Sequence, residues 1–315
     1  MATLPSTLDH ARAWYGRRTY HHRDFPLERL LAERNATVSL CLPAREEAAT
    51  IGTILEILLA LKDRGLVDQV VVIDAASEDG TADMAARAGA EVHQESALMT
   101  EFGPAIGKGD AMWRALSVLT GDVVCYLDAD SEMFGPHFPC GMLGPIFCEP
   151  GVEFVKGFYR RPFRVDGISL PDGGGRVTEL TARPLLNLFY PELAGVRQPL
   201  AGELTARRSL LERLPFATGY AIETAHLIDA YRLVGLDAIA QVDLEVRQNR
   251  HQPLDRLSNM AFAVLCAVAE RLKREGRLDT PGAQELLLPV LEGRLEQHTL
   301  ALVERPPMAT VRAIA

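Results

Sequence analysis

Two aspartates separated by a single residue point most directly to chemistry in this sequence. Asp128-Ala129-Asp130 follows Asp122–Leu127, an apolar run with the composition of a buried strand. Residues i and i+2 of an extended segment point to the same side, so the two carboxylates repel each other unless a cation lies beside them. Mg²⁺ and Mn²⁺ prefer such oxygen ligands and often share them with a diphosphate. The motif therefore predicts a metal site that binds a diphosphate, whereas an isolated motif of this kind is commonly a solvated turn.

A second group of polar residues alternates along the segment from Val246 to Pro253. If this segment is extended, Arg247, Asn249 and His251 all face one side. A neutral imidazole is a good ligand for a divalent metal. His251 is therefore the candidate third metal ligand beside the paired aspartates, and a histidine on the protein surface is the alternative interpretation.

A glycine-rich segment is the third candidate. Gly173, Gly174 and Gly175 precede Arg176 and Thr178, and glycines allow backbone N–H groups to approach an anion closely. Thr178 is predicted to cap the following helix, whose N-terminus favours negative charge. Arg176 adds a fork of donors that matches a phosphate or a carboxylate. The pattern predicts an anion site, with a flexible surface loop as the alternative.

Single residues with weaker signals complete the candidate site. Lys108 opens a predicted helix and either contacts a diphosphate or is merely solvated. Tyr220 and Glu223 lie where a loop enters a helix, so Glu223 either orients a sugar or favours the helix N-terminus. Ser77 and Glu46 each follow a predicted strand and are candidates for the base and ribose of a nucleotide.

The elements that must position these residues alternate between strand and helix. Such alternation predicts a mostly parallel, Rossmann-like α/β sheet flanked by helices, which binds ligands at the carboxyl ends of its strands. In the first half we predict strands at Thr37–Pro43, Val67–Asp74, a segment starting at Gly89, and Asp122–Leu127, with helices at Thr50–Leu61, Gly80–Ala90 and Gly109–Leu119. In the second half we predict strands at Val152–Tyr159 and Ala238–Val246, with helices at Thr178–Leu188, Ala206–Arg213, Ile222–Leu233 and Leu257–Arg274.

The chain shows no repeat or linker, so we predict one continuous domain. Within it we distinguish an N-terminal extension (1–35), a nucleotide-sugar-binding region (36–160), and an acceptor-binding and C-terminal region (161–315). The extension is polar and is predicted to form a solvated helix and loop. Packing against a second subunit is the alternative.

Composition limits the class of protein. The 315 residues carry a formal charge of −9, whereas a nucleic-acid-binding protein usually has a basic excess. The five cysteines form no C-x-x-C pair, which favours reduced thiols in a cytoplasmic protein. The longest apolar run, near 261–269, is far shorter than the roughly 20 residues of a membrane span.

Several longer strings resemble a known family. The chain is similar to the glucosyl-3-phosphoglycerate synthases of actinobacteria and to the related mannosyl-3-phosphoglycerate synthases, which are retaining glycosyltransferases of the GT-A fold. The resemblance runs from about Val38 to Pro307. The strings that carry it are Gly107–Arg114, Phe158–Pro162, Gly173–Pro184, Gln198–Glu203 and Gly235–Val242.

The resemblance implies a role for each candidate residue. Asp128 and Glu223 would act at the transferred sugar, and Asp130 would hold Mg²⁺ or Mn²⁺. The nucleotide-sugar would contact Pro43, Ala44, Glu46, Ser77, Lys108, Asp128, Ala129, Tyr220 and Glu223. The acceptor, 3-phosphoglycerate, would contact Gly174, Gly175, Arg176, Thr178 and Asn249. Relatives of this kind also imply a homodimer.

This chain departs from the family pattern at two places. Arg45 stands where the family has a small or apolar residue, which leaves the preference for UDP-glucose or GDP-mannose open. In a gapless register the metal-binding histidine of the family falls on Asn249, and we assign the metal to His251 instead. The expected reaction is transfer of a hexose to the 2-hydroxyl of 3-phosphoglycerate by same-face attack. The alternatives are a sugar-1-phosphate nucleotidyltransferase and a non-catalytic nucleotide-sugar sensor.

Overall fold

A computed structural model describes residues 7–165, 168–170, 174–248, 254–278, 285–289, 295–299 and 303–312. The strands are β1 (Thr19–His21), β2 (Val38–Ala44), β3 (Gln69–Asp74), β4 (Glu91–Gln94), β5 (Val123–Tyr126), β6 (Phe154–Arg160), β7 (Phe163–Val165), β8 (Ile168–Leu170), β9 (Leu204–Arg207), β10 (Phe216–Ala217), β11 (Ile239–Val246), β12 (Glu285–Pro289), β13 (Leu295–Thr299) and β14 (Glu304–Arg305). The helices are α1 (Thr7–Arg18), α2 (Leu27–Glu33), α3 (Ile51–Asp63), α4 (Thr81–Ala88), α5 (Gly107–Ala115), α6 (His137–Cys148), α7 (Arg183–Phe189), α8 (Arg208–Leu211), α9 (Ile222–Val234), α10 (Leu254–Arg274) and α11 (Met308–Arg312).

Eight strands form one mixed sheet in the order β1-β11-β6-β9-β5-β2-β3-β4. Every neighbouring pair is parallel except the two pairs made by β9, which runs antiparallel to β5 and β6. The central strands β2 and β5 are mostly apolar because both faces of the sheet are covered. The predicted α/β architecture, a mostly parallel sheet flanked by helices, is confirmed.

One predicted element is wrong in a way that matters for the site. We predicted a helix at Ala206–Arg213, but Leu204–Arg207 is strand β9 in the middle of the sheet, and the helix is only Arg208–Leu211. Thr205 is fully buried there. A short, buried apolar run cannot be assigned to strand or helix by periodicity alone. The strand places the residues before it, Gln198–Glu203, beside the ends of β5 and β6.

The N-terminal region also differs from the expected solvated helix and loop. Strand β1 adds to the sheet edge beside β11, with His21 opposite Asp243. The side chain of Trp14 in α1 is fully buried, and its indole N–H donates to the carbonyl oxygen of Ile239 at 2.8 Å. These contacts anchor the segment against the rest of the sheet.

The core lies on the two faces of this sheet. Alternate residues of β2 point to opposite sides, so Leu40 packs with α3 in one apolar cluster and Cys41 packs with α5 and α9 in the other. All five cysteines are free thiols. Among the described residues, no helix combines the length and apolar character required to cross a membrane.

Candidate active site

The carboxyl ends of β2 and β3 carry the first group of predicted residues. Ala44 lies opposite Asp74 in the parallel ladder. Beyond these ends, the backbone N–H of Glu46 donates to the Ser77 hydroxyl at 2.9 Å, and the Glu46 carboxylate accepts from the backbone N–H of Glu78 at 2.8 Å. These two hydrogen bonds join the loop that follows β2 to the loop that follows β3. They bring together Pro43, Ala44, Glu46 and Ser77.

The end of β5 supplies the paired aspartates. Asp128 accepts a hydrogen bond from the ammonium group of Lys108 at 2.5 Å, and the same ammonium group lies 3.1 Å from the carboxylate of Glu223. The carbonyl oxygen of Ala129 accepts from the Thr50 hydroxyl at 2.6 Å. Residues from β5, α5 and α9, which are distant in sequence, therefore meet at one point.

Charge pairing sets the protonation of this cluster. Burial lowers the pKa of Lys108, but the carboxylates of Asp128 and Glu223 outweigh that effect and raise the pKa above its ordinary value. Burial acts to raise the pKa of Asp128, but Lys108 and Arg247 outweigh it and hold the pKa far below the usual range. Both groups are therefore charged at neutral pH.

Glycines explain how Lys108 reaches this position. A Cβ atom on Gly109 would lie 1.9 Å from the carbonyl oxygen of Ala217, and one on Gly107 would lie 3.2 Å from the Cα of Gly219. Only glycine permits α5 to begin so close to the loop that leads into α9. This contact sets Lys108 beside Glu223.

Arg247 is the buried centre of the site. Its guanidinium donates to Asp128 at 2.7 Å, to Asp130, and to the phenol oxygen of Tyr159 at 2.6 Å. It also forms an ion pair with the buried carboxylate of Glu203 at 3.0 Å. One cation thus holds three carboxylates together, which would otherwise repel one another.

The paired aspartates suit a hard divalent ion. Their carboxylate oxygens already attract a cationic group, Arg247, and the Asp130 side chain remains 39% exposed. Oxygen donors of this kind match Mg²⁺ or Mn²⁺. His251, the other residue assigned to the metal, and Asn249, assigned to the acceptor, lie outside the described residues.

Gly174 and Gly175 form a cradle before a helix, and Gly173 lies outside the described residues. The N–H of Gly174 donates to the carbonyl oxygen of Arg161 at 3.1 Å, and a Cβ atom on Gly174 would lie 2.5 Å from that of Arg161. Gly175 has a φ of +78°, a conformation that favours glycine. The helical segment already begins at Arg176. Thr178 is therefore a buried residue within it, without the capping bond that we predicted.

A chain of polar side chains connects this cradle to the paired aspartates. Arg161 donates to the phenol oxygen of Tyr159 at 2.9 Å, and Arg247 donates to the same oxygen at 2.6 Å. Both guanidinium groups also lie over the Tyr159 ring, at 5.0 Å and 5.3 Å from its centroid. The sequence therefore folds into one continuous polar site from Asp128 to Gly174.

Similar proteins of known activity indicate the family to which this chain belongs. Residues 39–141 match the model of "Glycosyl transferase family 2". The glucosyl-3-phosphoglycerate synthase of Petrotoga mobilis is 40% identical over 94% of this chain and 94% of its own length. That of Mycolicibacterium smegmatis is 43% identical over 89% of this chain and 92% of its own length.

This chain belongs to the glucosyl-3-phosphoglycerate synthase family.

Solved structures agree with this membership. The mannosyl-3-phosphoglycerate synthase of Rubrobacter xylanophilus is 51% identical, covers 96% of this chain and 98% of its own, and superposes with a TM-score of 0.88. A complex of the glucosyl-3-phosphoglycerate synthase from Mycobacterium tuberculosis with Mn²⁺, UDP-glucose and phosphoglyceric acid is 39% identical, covers 94% and 99%, and has a TM-score of 0.82. The predicted family, fold and class of enzyme, a metal-dependent glycosyltransferase, are confirmed.

Some of the predicted site residues of this glycosyltransferase are in direct contact, and others lie at the edge of the site. Asp128, Asp130, Lys108 and Glu223 share one charged cluster. Tyr220 is 55% exposed on the loop before α9, where it is accessible to a bound sugar. Gly174, Gly175 and Arg176 lie at the far end of the polar chain. The roles of these residues remain predictions.

Sequence reasoning gave no role to Tyr159, Arg161 and Glu203. A signal was present, because they lie in two of the strings that carry the family resemblance, Phe158–Pro162 and Gln198–Glu203. In the second string, a Cβ atom on Gly202 would lie 2.1 Å from the Asp128 carboxylate. That glycine is required for Glu203 and Asp128 to approach Arg247 together.

Proposed function

We propose that this enzyme transfers glucose from UDP-glucose to the 2-hydroxyl of 3-phosphoglycerate with retention of configuration. The observation that carries the proposal is the continuous polar chain from the paired aspartates through Arg247, Tyr159 and Arg161 to Gly174. Such a chain can hold a donor diphosphate at one end and an acceptor phosphate at the other. A single catalytic step requires that arrangement, because both reactants must be oriented together.

We assign the donor to the half of the site that lies at the carboxyl ends of the strands. The loops containing Pro43, Ala44, Glu46 and Ser77 would receive the nucleoside, and Lys108 would lie beside the diphosphate. Lys108 is already charged and held by two carboxylates, so it is preorganised for an anion. Ala129 and Asp128 would contact the ribose or the sugar, with Tyr220 and Glu223 on the sugar side.

The acceptor is assigned to the cradle. The guanidinium of Arg176 and the backbone N–H groups at the start of the helix that follows Gly175 would offer donors to a phosphate or a carboxylate. Thr178 is buried and would shape the floor of this pocket. Asn249 would complete the acceptor contacts, which would place the 2-hydroxyl between the cradle and the donor sugar.

Asp130 and His251 would hold the divalent ion. When bound, Mg²⁺ or Mn²⁺ neutralises charge on the departing nucleotide diphosphate. The Mycobacterium tuberculosis relative contains Mn²⁺ together with UDP-glucose and phosphoglyceric acid, which supports the same cofactor here. Arg247 pairs with both aspartates and so compensates the negative charge of their carboxylates.

Retention is proposed to occur by same-face attack. A covalent intermediate would need a carboxylate nucleophile, yet the described carboxylates of the charged cluster around Asp128 are all ion-paired. Asp128 pairs with Lys108 and Arg247, Glu223 pairs with Lys108, and Glu203 pairs with Arg247. Ion pairing weakens a carboxylate as a nucleophile and favours a role in orienting the sugar.

GDP-mannose is the second candidate donor. The mannosyl-3-phosphoglycerate synthase of Rubrobacter xylanophilus is 51% identical to this chain, whereas the two glucosyl-transferring relatives described above are 40% and 43% identical. The test is a product assay with 3-phosphoglycerate, Mg²⁺ or Mn²⁺, and a panel of UDP- and GDP-sugars. Glucosyl-3-phosphoglycerate and UDP are the expected products. Release of pyrophosphate, or binding of donor without turnover, would overturn the proposal.

We further propose that the enzyme is a cytoplasmic homodimer. The free state of all five cysteines supports a reducing compartment. Exposed apolar side chains on α10, including Leu254 and Leu265, offer a surface for a second copy. Light scattering of the wild type and a Leu265→Glu variant tests the assembly; a monomeric wild type would contradict it.

A further inference from the structure

Three ionisable side chains that the proposed reaction does not use meet where β1 and β11 end. His21 ends β1, His22 follows it, and Glu245 lies near the end of β11. One ligand atom from each lies within 4.8 Å of the other two. Two imidazoles and a carboxylate form a mixed nitrogen and oxygen donor set, which suits zinc and similar divalent ions.

The distances fit the size of such an ion. The Nε2 atoms of His22 and His21 lie 3.3 Å and 3.8 Å from the Oε1 atom of Glu245. Ligands at about 2.0–2.1 Å from a tetrahedral zinc ion are separated from each other by about 3.3 Å. The side chains of His21 and Glu245 are each 36% exposed, so an ion can enter from solvent.

Two independent features point to a ligand at this place. The Nε2 atom of His22 is buried and lies 3.3 Å from the Glu245 carboxylate without forming a hydrogen bond of good geometry, which is costly for a buried polar atom. Glu245 has a φ of +68°, at a register irregularity between β11 and β6. A non-glycine residue in this conformation stores strain, and such strain concentrates at functional sites.

Two interactions must change when an ion binds. Arg23 currently donates to the Glu245 carboxylate, but its side chain is 72% exposed and can move into solvent. An imidazole that binds metal through Nε2 carries its proton on Nδ1. His21 would therefore lose the 3.2 Å hydrogen bond that Nδ1 accepts from the Arg23 N–H. The helical turn at His22–Asp24 is still held by Asp24, whose side chain accepts from the His21 N–H at 2.8 Å.

We propose that His21, His22 and Glu245 form a structural site for a zinc-type divalent cation, separate from the site at Asp130. The ion would give the buried Nε2 of His22 a partner and would cross-link the ends of two neighbouring parallel strands. Because Glu245 precedes Arg247 by two residues, the cross-link would also fix the chain that leads into the active site.

Zinc chloride is the probe, titrated calorimetrically into the full chain in excess Mg²⁺ so that the paired aspartates are occupied. Glu245→Gly is the decisive variant because glycine adopts positive φ without strain, so the fold is retained while the ligand is removed. His22→Gln is the second variant. We expect each to weaken zinc binding by more than about 100-fold, since loss of an outer-shell partner alone costs about 10–100-fold.

His93→Gln is the matched control, because His93 lies 2.7 Å from a single carboxylate, that of Glu91, at the opposite edge of the sheet. It should bind zinc as the wild type does. Co²⁺ provides a second readout, since its visible spectrum should indicate four-coordinate nitrogen and oxygen ligation in the wild type and not in Glu245→Gly. Unchanged zinc affinity in Glu245→Gly, with folding verified by circular dichroism, would overturn the proposal, as would binding that is lost equally in His93→Gln.

Discussion

Strands of the parallel sheet carry much of the donor half of the active site, whereas the acceptor half is linked to it through side chains. Ala44 and Asp74 are fixed by the parallel ladder itself, and Asp128 follows directly from a buried strand. In contrast, Arg247 reaches Asp128 across 119 positions of sequence and Tyr159 across 88. The donor half therefore depends on the sheet as well as on the cluster of Lys108, Asp128 and Glu223, while the acceptor half depends on a few buried side chains.

Because the two halves are held differently, substitutions in them should have different effects on folding and catalysis. A change in the donor half should act through the backbone and affect folding as much as catalysis. A change in the acceptor half should leave the sheet intact and act on binding or turnover. Four experiments test this contrast, beginning with the largest expected effect.

Replacing Asp130 by alanine should lower kcat by about 1,000-fold, because loss of a group that stabilises transition-state charge commonly costs about 100- to 1,000-fold. The measurement is kcat at saturating substrates over a range of Mn²⁺ concentrations. Asp122→Ala is the control, since Asp122 bonds to Thr37 at the opposite end of the same strand region. Full turnover by Asp130→Ala would exclude this residue as a metal ligand.

Alanine substitutions at Gly109 and Gly202 allow the two halves to be compared directly. Gly109→Ala places a Cβ atom 1.9 Å from the carbonyl oxygen of Ala217, whereas Gly202→Ala places one 2.1 Å from the Asp128 carboxylate. The Ala217 backbone cannot move aside to make room. Gly109→Ala should therefore lower the free energy of unfolding by about 3 kcal/mol, at the upper end for overpacking. Gly202→Ala should cost less stability but lower kcat, because a side chain can move aside.

Urea unfolding and steady-state kinetics of both alanine variants give the comparison. The contrast would be lost if Gly202→Ala proved as unstable as Gly109→Ala while keeping the turnover of the wild type. That result would mean that the acceptor half is also held by its backbone.

These glycines also show how far the sequence could predict the site. The paired aspartates, Lys108 and the alternation of strands and helices depend on local patterns, and each was predicted. The central position of β9 was missed because a four-residue buried strand has no distinctive periodicity. The place of Glu203 beside Arg247 was missed because it depends on contacts between distant segments, which local spacing does not contain.

Arg176→Ala tests the cradle. It should raise the KM for 3-phosphoglycerate by about 30-fold and leave the KM for the donor unchanged, since a hydrogen bond to a charged group contributes about 1.5–3 kcal/mol. Arg176→Lys should recover part of the loss, because lysine keeps the charge but not the fork. Arg232→Ala, which removes an exposed arginine paired with Glu275, is the control. An unchanged acceptor KM would refute the assignment of the cradle.

The smallest predicted effect compares two buried hydroxyl groups, one in each half. Tyr126 donates to the carbonyl oxygen of Met112 at 2.9 Å, and Tyr159 accepts from Arg161 and Arg247. Burial raises the pKa of Tyr159 to about 12, so its hydroxyl is protonated at neutral pH. Changing either tyrosine to phenylalanine removes one buried oxygen and keeps the ring, which should cost about 1 kcal/mol of stability.

The two variants should nevertheless differ in kinetics. Tyr126→Phe should retain the kcat and KM values of the wild type, because its lost bond lies on the backbone of α5. Tyr159→Phe leaves two guanidinium groups without the oxygen between them, so Arg161 and Arg247 should separate and kcat/KM for 3-phosphoglycerate should fall several-fold. If both variants kept the wild-type kcat/KM, the polar chain would not couple the cradle to the aspartates, and the two halves would function independently.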